Sequence, residues 1–403
     1  MCAVAVRRSA GLATISLTLF TLVMASCGTN SKTATTTPPT STPPPAQPSY
    51  PSTPPVPITW SPSNSQLPAP PACNPATSTC TPPDPNGSND FPLTVSSPTN
   101  NATTTSPMTV VASATPKNPI FFMRVYVDQM AMYFTYTNSI NTQLFIASGQ
   151  HTVEVMAEDT SGYISSTILN VNVTTQAQTT INGIQNMAGW QTCAGDFPAG
   201  SGRAGQVCAS GNPNPPTFNM TQNQSSPAMD GKSAEFSISG PNAYSNQLSF
   251  NAVAGGNNVS HFIYDLYFYV DNPAAPQALE FDVNQTFGGN RWVWGSECNF
   301  KGETPPMWDL WDDASGIWRE STVPCNPFPA NTWVHLIWTL ERVGNQVHYI
   351  SLQEGSQIYN VDTYYNNQPD WTLEEIDVAF QMDLAQPPVP YNVWLDEVNL
   401  TAY

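Results

Sequence analysis

The chain has 403 residues, 11 Lys plus Arg against 29 Asp plus Glu, and a formal net charge of −18 at pH 7. No basic stripe is available to neutralise phosphates, which argues against nucleic-acid binding. Charged residues make up only 10% of the chain and Pro contributes 40 positions, so composition changes along the sequence carry information.

Residues 1–27 open with Arg7 and Arg8, continue through an apolar run at 10–24, and reach Ala25-Ser26-Cys27. A basic start, a short apolar run and small residues before a cut site describe a secretory signal, and the run is short for a spanning helix. Val23-Met-Ala-Ser-Cys27 resembles a bacterial lipobox. That resemblance implies lipidation of Cys27 and a membrane anchor for an exported outer-membrane or cell-surface protein. Ordinary signal cleavage near Ala25-Ser26 is the alternative. Residues 28–91 hold 18 of the 40 prolines among Ser, Thr and Ala, with Lys32, Asp84 and Asp90 as their charges. A segment so poor in apolar side chains is expected to form a disordered, semi-rigid linker.

Beyond Cys2 and Cys27 six cysteines remain: Cys73, Cys80, Cys193, Cys208, Cys298 and Cys325. Proximity in sequence favours three successive pairs, although six cysteines permit about 15 connectivities. Such disulfides fit an oxidising, extracytoplasmic setting.

Residues 92–175 show short segments of period-two hydrophobicity, at 107–114, 121–128, 151–158 and 164–173. They predict a β-sandwich. The stretches Gly149-Gln-His-Thr-Val-Glu-Val-Met-Ala-Glu-Asp159 and Arg124-Val-Tyr-Val-Asp128 resemble bacterial Ig-like domains of surface proteins, a likeness that implies spacing or adhesion. His151 then reads as a strand-edge residue.

Residues 180–403 predict one larger all-β domain, with strands near 262–269, 278–285, 333–340, 347–352 and 376–382. Glu354-Gly-Ser356 separates 346–352 from 357–361 as a hairpin turn would. The closing Asn392-Val-Trp-Leu-Asp-Glu-Val-Asn-Leu-Thr401 resembles the last strand of many carbohydrate-binding jelly rolls. The expected fold class is therefore all-β: an Ig-like sandwich followed by a concanavalin-like jelly roll.

The candidate chemistry centres on Glu280-Phe-Asp-Val-Asn-Gln285. On an extended strand Glu280, Asp282 and Asn284 share one face, while Leu279, Phe281 and Val283 take the other and belong in the core. The string resembles the Glu-x-Asp-x-(x)-Glu strand of laminarinases and lichenases. The resemblance implies Glu280 as nucleophile and Asp282 as its charge-tuning neighbour, if the chain is an enzyme. The acid/base position then falls on Asn284 or Gln285, and an amide cannot shuttle a proton. That gap favours a non-catalytic role, unless a carboxylate arrives from a neighbouring strand; Asp383 and Asp265 are the first to check. The same alternation also fits an ordinary solvent-facing strand.

Sugars are held by stacking on aromatic rings combined with hydrogen bonds to carboxylates and amides. Period-two reasoning gathers Tyr267 and Tyr269, Trp292 and Trp294, and Gln381 and Asp383 with Glu280, Asp282 and Asn284 as a polysaccharide- or oligosaccharide-binding groove. Trp308-Asp-Leu-Trp-Asp-Asp313, framed by Cys298 and Cys325, reads as an exposed loop. Asp309, Asp312 and Asp313 in it could offer oxygens to Ca²⁺ or simply face water. His261, His335 and His348 lack zinc-ligand spacing, so no cofactor or other metal is expected. Glycan binding is the leading reading; a glycoside hydrolase or polysaccharide lyase, and a purely structural surface protein, are the rivals.

Overall fold

The computed structural model describes Asp84 and residues 87–176, 178–194, 216–302, 304–326, 328–370 and 374–403. The signal, Cys27, most of the linker, Cys73, Cys80 and Cys208 lie outside those residues. Among the described residues the fold is all-β, with a single 3-10 turn at Ile184–Asn186.

The first module contains β1 (Leu93–Ser97), β2 (Ala102–Ser106), β3 (Met108–Ala114), β4 (Ile120–Val127), β5 (Met130–Thr135), β6 (Ser139–Phe145), β7 (Gly149–Asp159) and β8 (Ile164–Gln176). The order β2-β8-β7-β4-β5 forms one sheet, and β1-β3-β6 begins another. Met108, Val110, Val125, Val153 and Val155 are fully buried in the core of this module, as period-two patterning requires of a sandwich.

The second module begins with β9 (Thr179–Ile181), β10 (Gln191–Ala194), β11 (Thr217–Gln224), β12 (Ser233–Ser239), β13 (Asn246–Gly256) and β14 (His261–Val270). Next come β15 (Pro276–Phe287), β16 (Asn290–Trp294), β17 (Ser296–Asn299), β18 (Met307–Asp312), β19 (Ile317–Pro324) and β20 (Trp333–Val343). It ends with β21 (Gln346–Glu354), β22 (Gln357–Asn366), β23 (Gln368–Pro369), β24 (Glu375–Leu384) and β25 (Tyr391–Ala402). Gly355, at φ 59°, allows the tight turn of the expected β21–β22 hairpin.

Two large sheets face each other here. One runs β11-β12-β25-β14-β20-β21-β22 with β9 attached, and the other continues β13-β24-β15-β17-β18-β19. Phe262, Tyr264, Leu266 and Phe268 from β14 meet Leu279, Phe281 and Val283 from β15 in the core between them. The alternation read from 279–285 therefore holds: the apolar three face inward, and each contributes roughly 1.5–3 kcal/mol of burial.

The two modules share a sheet. Gly255 and Gly256 of β13 pair in parallel with Leu144 and Phe145 of β6, so one 12-stranded sheet runs through both. A Cβ on Gly256 would lie 2.2 Å from the Phe145 carbonyl oxygen, and its φ is +112°. Only glycine permits that approach. Nearby, Arg124 Nε lies 3.2 Å from Glu374 Oε2 with both side chains buried. Arg124 also sits over the Phe134 ring, 4.9 Å from its centroid.

Candidate carboxylate cleft on the outer sheet face

β15 lies between β24 and β17, and the register of these strands builds the site. Glu280 pairs with Gln381 on one side and with Glu297 on the other. Glu297 in turn pairs with Asp309, and Asp309 with Glu320. A row of four carboxyl side chains thus crosses four adjacent strands. Like charges directly opposite one another on neighbouring strands repel, so this row must be neutralised by protons, donors or a ligand.

Several features do so locally. Gln381 Nε2 donates a hydrogen bond to Glu280 Oε1. Asn299 Nδ2 donates to Asp309 Oδ2 at 3.1 Å. Burial, reinforced by Asp383 and Asp309, pushes the Glu297 carboxyl up to about 9, so it keeps its proton at neutral pH. Burial also raises Asp309.

Asp383 joins this group from β24. Oxygens of Glu280, Glu297 and Asp383 all lie within 4.8 Å of one another. They line a cleft of about 240 Å³, together with Asn246, Gln277, Asn299 and Gln381 and the rings of Tyr244 and Trp318. Trp318 packs edge-on against Trp311, which fixes that wall. Asp282, one step along β15, accepts a hydrogen bond from the Ser296 backbone N–H at 3.2 Å. Gly295 makes room for Trp311: a Cβ there would stand 2.9 Å from the Trp311 side chain, while 3.5 Å from Asp282 is ordinary contact.

Of the residues singled out from sequence, Glu280, Gln381 and Asp383 line this cleft, and Asp282 adjoins it. The others go elsewhere. Asn284 is buried and donates from Nδ2 to Asp377 Oδ1 at 2.9 Å. Gln285 faces the core, donating to the Gly256 and Val259 carbonyls and accepting from Arg342. Trp292 and Trp294 are core residues, 4% and 1% exposed. They share a face, as the alternation required, but it is the inner one. Their indole N–H groups are satisfied by the Gly344 and Glu341 carbonyls, which makes full burial tolerable. Tyr267 and Tyr269 point outward from β14, on the opposite sheet and away from the cleft. Tyr267 stacks on His335 at 4.2 Å, and Tyr269 lies against Trp333 and Trp394. Asp265 is on that far sheet too, bonded to His335 at 2.7 Å, so Asp383 is the carboxylate that reaches Glu280.

The 308–313 segment is strand rather than loop, with Trp308 fully buried and its N–H donated to Glu354. Its three aspartates do not converge. Asp309 turns to Glu297, Asp312 binds Arg319 at 2.8 Å, and Asp313 binds Arg291 at 2.8 Å. Cys298 and Cys325 form the expected disulfide, with Cα atoms 5.5 Å apart. Cys193 lies in β10, but its partner and side-chain environment fall outside the described residues.

Sequence reasoning missed Glu297, Tyr244, Trp318, Asn246, Gln277 and Asn299. A signal for Glu297 existed: Cys298 must turn inward to reach Cys325, which places Glu297 on the outer face with Glu280.

No protein-family model and no curated protein matches the chain. Solved structures with local similarity include one described as carbohydrate-binding modules from the β-sandwich superfamily. It has 12% identity, covers 78% of this chain and 98% of the other, and has a TM-score of 0.26. The cellulose-induced protein Cip1 has 11% identity, 53% and 91% coverage and a TM-score of 0.33. A "native glycosidic hydrolase" has 10% identity, 56% and 96% coverage and a TM-score of 0.26. Scores this low carry no functional weight, and the residues of the cleft have to speak for themselves.

Proposed function

We propose that this chain binds carbohydrate in the cleft between Glu280, Glu297 and Asp383. One observation carries the reading: Tyr244 and Trp318 line the same pocket as a set of carboxyl and amide side chains. That is the pairing of stacking surface with hydrogen-bonding groups that a pyranose ring requires. The pocket volume of about 240 Å³ accommodates about one sugar unit. The proposal places the protein outside the cytoplasm, anchored through lipid on Cys27, with residues 28–91 spacing the β modules from the membrane. Titration calorimetry of the full chain against a panel of neutral, cationic and anionic oligosaccharides tests it. Binding that weakens at least about tenfold in Trp318→Ala supports the reading. Absence of binding across the panel removes it.

A second reading, glycoside hydrolysis, is favoured by one specific observation. Glu297 stands opposite Glu280 on the adjacent strand and supplies the carboxyl missing from positions 284 and 285. Retaining glycosidases use two carboxyls about 5 Å apart, one protonated and one ionised. Here Glu297, held in its acid form, would protonate the leaving oxygen, and Glu280 would act on the anomeric carbon. Reducing-end release by the wild type, abolished in both Glu280→Gln and Glu297→Gln, would establish it. Binding without release leaves the non-catalytic reading.

A further inference from the structure

His151 stands near the start of β7, and its ring lies between two hydrogen-bond acceptors. Nδ1 is 2.7 Å from Asp128 Oδ2, and Nε2 is 2.9 Å from the Ala147 carbonyl oxygen. A neutral imidazole carries one N–H and serves only one of them, turning a lone pair toward the other. The imidazolium donates to both. The hydrogen bond to Asp128 outweighs burial of the ring and holds His151 above the ordinary histidine value. Burial opposes the matching shift in Asp128, yet the His151 and Thr152 donors hold its carboxyl below the usual range. The loop at 146–148 and the facing β8 stretch at 169–173 contain no charged residue. Among the described residues, Asp128 is therefore the charge that meets the ring.

Both acceptors belong to segments that dock on the second module. Asp128 and Gln129 form the turn into β5, with φ of 51° and 69°. Met130 follows, and its sulfur accepts from Asn257 Nδ2 at 3.9 Å and lies beside Gly288. Ala147 comes shortly after Phe145, whose pairing with Gly256 joins the modules and whose carbonyl accepts the Asn258 N–H at 3.2 Å. Asp128 is held on β7 independently of the ring, through hydrogen bonds with Thr152 in both directions. The second proton of the ring therefore matters most at Ala147. The charged side chains of the junction are engaged elsewhere: Arg342 with Gln285 and the Asn257 carbonyl, Arg124 with Glu374.

We propose that His151 is a proton-operated clamp, tying the Asp128 turn to the Ala147 carbonyl as an imidazolium and releasing the β6–β7 loop when neutral. A neutral ring keeps its N–H on the Asp128 carboxylate, where the charge-assisted bond is stronger, and gives up Ala147. In the unfolded chain the imidazole titrates near 6.5, and folding raises that value. The clamp's stabilisation is therefore complete below 6.5 and is lost as pH rises through the folded value. Asp128 sets the acid limit, since its lowered carboxyl contributes above its unfolded value of 3.8 and less as pH falls further. From roughly pH 4 to 6.5 the clamp is closed and the first module is a stiff stem for the second. In alkali the stem loosens at the shared sheet.

The test combines histidine-ring NMR with hydrogen exchange of the 253–259 segment, both on the full chain. Ring signals followed from pH 5 to 9 should give His151, recognised by the signal that His151→Gln lacks, a midpoint above 6.5. Asp128→Asn, which keeps a residue suited to positive φ, should bring that midpoint down toward 6.5. At pH 5.5 the 253–259 segment should exchange at least about threefold more slowly in the wild type than in His151→Gln. At pH 9 the two proteins should converge. Glu297 titrates over the same range but is common to both, so the difference between them reports His151. Should His151→Gln not fold, Asp128→Asn takes its place in both measurements. A His151 midpoint at or below 6.5 overturns the proposal. So does a raised midpoint with equal exchange at pH 5.5, which would detach the ring from the junction.

Discussion

Glu297 on β17 stands directly opposite Glu280 on β15, and the two carboxyls share a cleft with Asp383. Glu297 is acidic in name only near neutrality. Burial and its anionic neighbours raise its carboxyl from an ordinary value to about 9. In the unfolded chain the group ionises near pH 4.5. Between those values the folded state holds a proton that the unfolded state has lost, so stability falls as pH rises through the window. Glu297→Gln keeps the shape and removes the titration. Thermal denaturation should show variant and wild type alike at pH 4, with the variant more stable at pH 8 by about 1–3 kcal/mol. Equal melting at both pH values would show that Glu297 is not held protonated by its surroundings.

Much of β15 was legible because its neighbours are apolar at period two, and burial of Leu279, Phe281 and Val283 leaves Glu280 and Asp282 only one face. Gln381 and Asp383 were reachable by the same rule. Period two separates two faces without saying which one turns inward, so Trp292 and Trp294 were assigned to the wrong side. It also says nothing of which sheet a strand joins, and Tyr267 and Tyr269 went to the far sheet. Cys298 marks the face of Glu297, but its position opposite Glu280 depends on pairing across a hairpin broken at Gly295, which the register of β15 with β17 reveals. The parallel contact of β13 with β6 left no sequence signal beyond two adjacent glycines.

That contact makes Gly256 a sensitive position. A methyl group there meets the Phe145 backbone at 2.2 Å, and an L-residue is strained at φ +112°. Gly256→Ala should cost roughly 2–4 kcal/mol in chemical denaturation. Gly316→Ala provides the comparison, since its φ is also positive (+65°) but nothing lies within 4 Å of its added Cβ. Its smaller loss isolates the effect of the shared sheet.

Arg124 and Glu374 form a buried pair near the same junction. Removing one partner leaves the other charged and desolvated, so Arg124→Met should destabilise by about 3–5 kcal/mol. Burial already favours the neutral form of Glu374. Part of the loss should therefore be recovered at low pH, where its carboxyl is protonated. The double variant Arg124→Met with Glu374→Leu should regain most of the stability in urea titrations. Additive losses in the double variant would show that the two side chains do not act as a pair.

Trp294 and Trp318 separate packing from recognition. Trp294 is 1% exposed, lies 5.3 Å from the Phe262 ring and donates its N–H to the Glu341 carbonyl. Its replacement by Ala removes a large core side chain and that hydrogen bond, at a cost of about 3–5 kcal/mol. Oligosaccharide affinity of the fraction that remains folded should be unchanged, since Trp294 faces away from the cleft. Trp318 lines the cleft and packs edge-on against the Trp311 ring. Trp318→Ala should cost about 1 kcal/mol or less of stability yet lose at least about tenfold in affinity, because the stacking surface itself is gone. Denaturation and calorimetry on the same two preparations give both numbers. A Trp294→Ala protein that folds well but no longer binds would move the recognition surface to the interior, which the register of β15 with β16 does not permit.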